Sequence, residues 1–264
     1  MENHSSWLSY FPGYQSLLHY VQEHYGRTEV MGREGITTVH HVYAAAIVVI
    51  ILMITSAIAR SRVKNVDAAL IPPKKIGIVS FYELFLEILF DLMESVIGPS
   101  YKRYVPLIGT IALFIFVNNF ISLIPGMRGG TDTMSTTFAL ALIVWIYFNF
   151  HAFRVQGIHH LIHMANPIGV WWGWILAPLM FPIELTSLCV RAISLSVRLA
   201  ANMIADHALL LAFAGIFPLL LPLPLYALGV LVCLVQTAVF TILSGVYIAL
   251  HTAEQEHGEA HTVH

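Results

Sequence analysis

An all-α, polytopic membrane protein is the fold class this sequence predicts, on three observations. Of its 264 residues 58% are hydrophobic and only 11% are charged, about half the charged share of an ordinary soluble domain. Mean hydropathy is +0.75. The apolar residues fall in runs long enough to cross a ~30 Å hydrocarbon core as helices. About five membrane-embedded helices plus one amphipathic surface helix are expected, the last two long and strongly tilted. Residues 1–39 form an extracytoplasmic segment and 40–264 a single membrane domain, in which a tilted hairpin over about 174–251 carries the ion path.

The N-terminal segment is polar and aromatic and lacks the basic-then-apolar order of a signal peptide. The first span covers 42–59 and ends in Arg60, Arg62 and Lys64, with Lys74 and Lys75 following. That basic cluster outweighs Arg27 and Arg33, so the N-terminus is expected outside and the linker in the cytoplasm. Residues 76–97 differ. Phe81, Phe85, Ile88, Leu89, Leu92 and Val96 make an apolar face, opposed by Glu83, Glu87, Asp91 and Glu94. Four acids exclude a simple span. Helices that lie on lipid usually carry Lys and Arg instead, so the acidic face is expected to meet solvent or protein.

Residues 105–124 form the second span, closed by Pro125-Gly126, and after a Gly- and Thr-rich turn 134–150 returns as the third. Arg154, His159, His160 and His163 then fall on the cytoplasmic side, and Trp171, Trp172 and Trp174 resemble an interfacial aromatic belt. From 183 to 214 there is neither proline nor glycine, which allows a helix of ~48 Å that must tilt by about 50° to stay within the core. Gly215, Pro218, Pro222 and Pro224 mark a turn, 225–250 is the last span, and 251–264 is a polar, cytoplasmic tail. Cys189 and Cys233 lie in apolar runs, so no disulfide framework is expected. No internal repeat supports an inverted-repeat transporter.

One face of the long helix is polar. Glu184, Ser187, Arg191, Ser194, Arg198 and Asn202 follow at spacings of three or four, within roughly ±40° of one meridian. An arginine at mid-membrane costs about 2.5–3.5 kcal/mol on insertion scales, so two of them call for a reason. Arginine stays protonated and is a poor proton carrier, but it is a fixed positive charge that a carboxylate would seek. Pairing of Arg198 with Asp206 of the same chain is opposed by their offset of two turns and ~80° around the helix.

The segment Arg198-Leu199 followed by Asn202-Met203, with Glu184 upstream, Gln236 in the last span, and Asn118-Asn119 ahead of Leu123-Ile124-Pro125-Gly126, resembles the a-subunit family of the F-type ATP synthase membrane sector. The resemblance runs from about the first span to the tail. It implies a non-catalytic stator subunit that forms two offset proton half-channels against a ring of c subunits. Each c subunit carries a membrane carboxylate, and proton flow is coupled to ring rotation and ATP synthesis. Arg198 is then the family's essential arginine, favouring the ionised carboxylate as it passes. A neighbouring opposite charge lowers a carboxylate pKa by about 1–3. Asn202, His207 and Gln236 match outer half-channel positions, where a histidine suits a relay near neutrality. Glu184 matches the acid near the inner half-channel, with Ser187 and Ser194 able to bind water. Arg191 matches a position often basic in relatives, from which it can snorkel to headgroups. The implied partners are the c-ring, peripheral-stalk b subunits and the lipid bilayer. No cofactor, metal, nucleic acid or directly bound nucleotide is implied, and the implied location is the bacterial inner (plasma) membrane, with the C-terminus cytoplasmic.

Two positions depart from the family pattern. Some members of the family carry an acid or His seven residues before the glutamine, where this chain has Gly229; Asp206 stands where a small residue is more usual. Asp206 and His207 together are expected to perform a relay that relatives divide between two helices. The competing class is a stand-alone proton-coupled transporter or channel using the stripe as its own pore. Against it, the stripe holds two arginines and too few acids for a complete relay. A histidine-box membrane enzyme is a weaker reading: His159 and His163 have i,i+4 spacing, but there is no H-E-x-x-H. The tail histidines 251, 257, 261 and 264 are expected to be solvated.

Overall fold

The computed structural model describes residues 13–25, 39–63, 77–124, 127–156, 173–214 and 222–260. Seven α-helices are described: α1 (Tyr14–Tyr25), α2 (His40–Val63), α3 (Ile78–Ile97), α4 (Val105–Ser122), α5 (Met134–Gln156), α6 (Gly173–Ala214) and α7 (Pro222–Ala260). There is no strand among the described residues. Four helices are long and apolar enough to cross a membrane, with spans His40–Val63, Val105–Ser122, Pro178–Leu210 and Leu223–Ala249. Met134–Phe150 is a shorter apolar run within α5. This is an all-α, multi-pass membrane protein.

Helix α2 touches the bundle along one narrow stripe, His40, Ala44 and Val48, which recur at i+4 and so share a face. Its remaining apolar residues, such as Ile50, Met53 and Ile54, are exposed, as suits a helix that meets lipid. α1, which the sequence pattern did not announce, lies against it through Tyr14 and Tyr43, ring centroids 5.6 Å apart.

Helix α3 keeps its two expected faces. Glu83, Glu87, Asp91 and Glu94 are exposed, while Leu89 and Met93 are buried in the core. The rings of Phe81 and Phe85 each lie 5.9 Å from that of Phe116 on α4, and α3 also packs along α7. Gly98 ends the helix at φ +79°, a left-handed conformation that glycine adopts without penalty. The chain then turns through a 3₁₀ segment, Pro99–Arg103, into α4.

The boundaries of the last two helices are a correction. Helix α6 runs 42 residues and contains Pro178 and Pro182, so the prolines expected to precede the helix lie inside it. Proline removes a backbone donor and crowds the preceding turn, but this helix is long and its neighbours hold it. α7 begins with Pro222 and Pro224 in its first turn, where a missing N–H costs nothing, and continues through Ala260, ten residues beyond the expected span. α5 likewise continues past Arg154. Trp171 and Trp172, His159, His160 and His163, Lys64, Lys74 and Lys75, and His261 and His264 lie outside the described residues, as do the side chains of Trp174, His251 and His257.

Candidate functional site

α6 and α7 are antiparallel and joined by two polar contacts. Asn202 Nδ2 donates to Gln236 Oε1 at 2.6 Å. The Arg191 guanidinium stands 5.8 Å from the centroid of the Tyr247 ring, within cation–π range. Eleven residues separate Arg191 from Asn202, and eleven separate Gln236 from Tyr247, so both contacts obey one register. Gln236 is buried, and its Nε2 has no hydrogen-bond partner among the described residues. Buried hydroxyls beside it are self-satisfied: Thr237 and Thr241 donate to the carbonyls of Cys233 and Thr237 at 2.8 and 2.9 Å.

The stripe lies along the edge of the packed surface. On one side of it Leu188, Leu195, Leu199 and Met203 are buried; on the other Val190, Val197 and Ile204 are exposed. Glu184, Ser187, Arg191 and Asn202 are half-buried, whereas Ser194 and Arg198 are exposed. Ser194 Oγ donates back to the Arg191 carbonyl at 2.9 Å, which ties it to its own helix. Arg198 sits four residues past the midpoint of the span Pro178–Leu210, and among the described residues it makes no hydrogen bond or ion pair, with Asp206 or any other group. On α7, Leu228 and Val235 are exposed beside Gln236. Given the antiparallel register, these exposed residues and those of α6 lie on the same side of the hairpin.

Asp206 and His207 are adjacent in sequence and both half-buried. His207 Nε2 is buried without a hydrogen-bond partner among the described residues. Gly229 is buried, and a Cβ there would collide with Leu123 Cδ2.

A polar corner not anticipated from the sequence lies where α2 meets the 3₁₀ turn Gly130–Asp132. His40 Nε2 and Asp132 Oδ1 are 3.2 Å apart. Asn118 Oδ1 accepts the Gly130 N–H at 3.0 Å, and Asn119 Oδ1 accepts the Thr131 hydroxyl at 2.8 Å. The available signal was a pair of histidines at a span entrance and an acid in a turn between apolar runs. Among the described residues no three His, Cys, Asp or Glu side chains are grouped to hold a metal ion.

With the long antiparallel pair and its arginine in place, the comparison with known proteins is decisive. Residues 41–249 match the family described as ATP synthase A chain. This chain belongs to that family. Among curated relatives, ATP synthase subunit a of Sorangium cellulosum is 35% identical over 217 residues, covering 82% of this chain and 83% of that one. The Bdellovibrio bacteriovorus protein of the same name is 36% identical over 214 residues, 81% and 91% of the two chains. That of a Nitratiruptor species is 38% identical over 213 residues, 80% and 87%. The family's members are subunits of the synthase's membrane sector, and the apolar spans agree with that place.

Proposed function

We propose that this chain is the stator subunit that conducts protons past a c-ring through two offset half-channels and converts their flow into rotation and ATP synthesis. The observation that carries this reading is Arg198, exposed and without an ion pair among the described residues, near the middle of a span. A guanidinium in that position is costly unless a neighbouring molecule supplies an anion. A carboxylate carried on a ring of c subunits supplies it, and the exposed apolar residues Val190, Val197, Leu228 and Val235 give such a ring a surface to run along. A 33-residue span is ~50 Å long against ~30 Å of hydrocarbon, so a steep tilt lets it follow several ring subunits.

Asn202, Gln236 and His207 serve the outer half-channel, with Asp206 at its edge; Glu184 and Ser187 serve the inner one. Arg198 separates the two, favours the ionised carboxylate and blocks a direct leak. Each proton crossing 100 mV supplies ~2.3 kcal/mol to the rotation. A stand-alone channel would enclose its pore, whereas this polar stripe opens outward at Arg198, which favours the stator. The basic residues at the end of α2 support an N-terminus outside and a C-terminus in the cytoplasm; the stator reading puts the chain in the plasma membrane of a bacterium, beside peripheral-stalk b subunits.

The test is ATP-driven proton pumping in membrane vesicles whose synthase carries Arg198→Ala. Lost pumping by an assembled complex that still hydrolyses ATP supports the reading; normal pumping overturns it.

A further inference from the structure

Helices α3 and α7 do not close on each other along their whole length. Toward Ile97 they meet tightly: a Cβ on Gly245 of α7 would stand 3.2 Å from Val96 and 3.6 Å from Ile97. Further back along α3 they part around a cavity of about 210 Å³. Its walls include Leu84, Phe85 and Ile88 of α3, Phe116 of α4, and Leu234 and Ala238 of α7. Leu84, Ile88 and Leu234 are 58%, 53% and 51% exposed, so the cavity is an open groove. Thr237 and Thr241 also line it, but both donate their hydroxyls to carbonyls of α7. The lining therefore suits an apolar guest. Leu234 lies about 100° around α7 from Val235, so the groove opens on the α3 side of the helix.

Two observations select the occupant. The first is size. A helix with its side chains is about 10–12 Å across, whereas an apolar cavity of ~150 Å³ is matched by one benzene. This groove takes a single hydrocarbon chain. The second is charge. α3 carries no Lys or Arg, and Glu87 and Asp91 stand three residues past Leu84 and Ile88, on the same side of the helix. Both acids are exposed, and ionised carboxylates are costly within hydrocarbon, so this edge of the groove lies at the level of the headgroups. An anionic headgroup there meets like charge, and a headgroup bearing an ammonium meets opposite charge.

We propose that the groove between α3 and α7 binds one acyl chain of a phospholipid with an amine headgroup, of the phosphatidylethanolamine type, whose ammonium pairs with Glu87 and Asp91. The chain covers Leu84, Ile88 and Leu234 and bridges the two helices where they part, so that a lipid completes the packing of α7. The site needs only that the chain lies in a membrane, and it is independent of the stator reading.

The experiment reconstitutes the whole synthase in liposomes of equal parts phosphatidylethanolamine and phosphatidylglycerol, with a trace of one or the other bearing a diazirine in its acyl chain. After illumination the labelled peptides are identified by mass spectrometry. Label is expected on segments 84–88 and 234–238, with the ethanolamine lipid exceeding the glycerol lipid by roughly two- to fivefold, the range of an exposed ion pair. Ala238→Trp fills the groove from α7 and is expected to abolish that label while label elsewhere on the chain persists. Glu87→Gln combined with Asp91→Asn leaves the groove intact, and is expected to keep the label and equalise the two lipids. Equal labelling by both lipids in the wild type overturns the proposal. Undiminished label in an assembled Ala238→Trp variant overturns it too, because that is bulk lipid passing over the surface. Absence of label on both segments gives the groove to a partner's side chain and likewise overturns it. If Ala238→Trp fails to assemble, the acid variant decides: a headgroup preference that survives it sinks the site.

Discussion

Asn202 on α6 and Gln236 on α7 are joined by a 2.6 Å hydrogen bond that sets the direction in which Arg198 points. The second contact, Arg191 over Tyr247, lies on the other side of Arg198 and on the same antiparallel register. Rotation of α6 about its axis would break both. The arginine is therefore held outward by polar contacts that bracket it, with Leu195 and Leu199 buried behind.

Breaking the pair should affect conduction more than assembly. Gln236→Leu leaves the Asn202 amide without its acceptor, a loss worth about 1–3 kcal/mol when the orphaned group is buried. ATP-driven pumping, normalised to hydrolysis, is expected to fall about tenfold or more, and Asn202→Leu similarly. Because the two act as one unit, the double variant should show a coupling of about 0.5–3 kcal/mol. Strictly additive losses would show that the contact is incidental.

Asp206 offers a separate test. If Asp206 takes part in the relay, Asp206→Gly should reduce proton flux, measured as passive proton conductance through the membrane sector. Unchanged flux in Asp206→Gly, with flux abolished in Gln236→Leu, removes Asp206 from the path.

The glycines give a prediction about stability. A Cβ on Gly129 would come within 2.8 Å of the Asn118 backbone oxygen, which cannot give way because it belongs to α4. At Gly229 the obstacle is a Leu123 terminal methyl, which can turn aside. Gly129→Ala should therefore lower the amount of assembled subunit sharply, at a cost of about 1–3 kcal/mol, while Gly229→Ala is tolerated. Gly229→Glu needs Leu123 displaced entirely, and Leu123→Ala should rescue it. Equal abundance of Gly129→Ala and wild type in membranes would refute this ordering.

What was legible in the sequence followed from local periodicity. The spacing of Arg191, Arg198 and Asn202 gives one helical face, and the acids from Glu83 to Glu94 give another; both survive in the fold. Prolines misled at Pro178 and Pro182, because a proline's local cost is outweighed in a helix of 42 residues packed on its neighbours. His40 and Asp132 are 92 residues apart and share no pattern, so only the folded chain brings them together. The turn that carries Asp132 is held by Asn118 and Asn119 through hydrogen bonds that span twelve residues, which no periodicity encodes.

The Arg191–Tyr247 contact yields the last prediction. If the attraction is between guanidinium and ring, Tyr247→Phe keeps it and Tyr247→Leu loses it, and the two should differ in subunit thermal stability by about 0.5–2 kcal/mol. The Phe148 ring also lies tilted against Tyr247, with centroids 6.3 Å apart, so loss of that packing must be separated from loss of the cation. Repeating the comparison in an Arg191→Gln background does so, because the aromatic packing persists there while the charge is gone. A gap between the Phe and Leu variants that shrinks in that background assigns the difference to Arg191. A gap of the same size assigns it to Phe148, and the bracket around Arg198 would then rest on Asn202 and Gln236 alone.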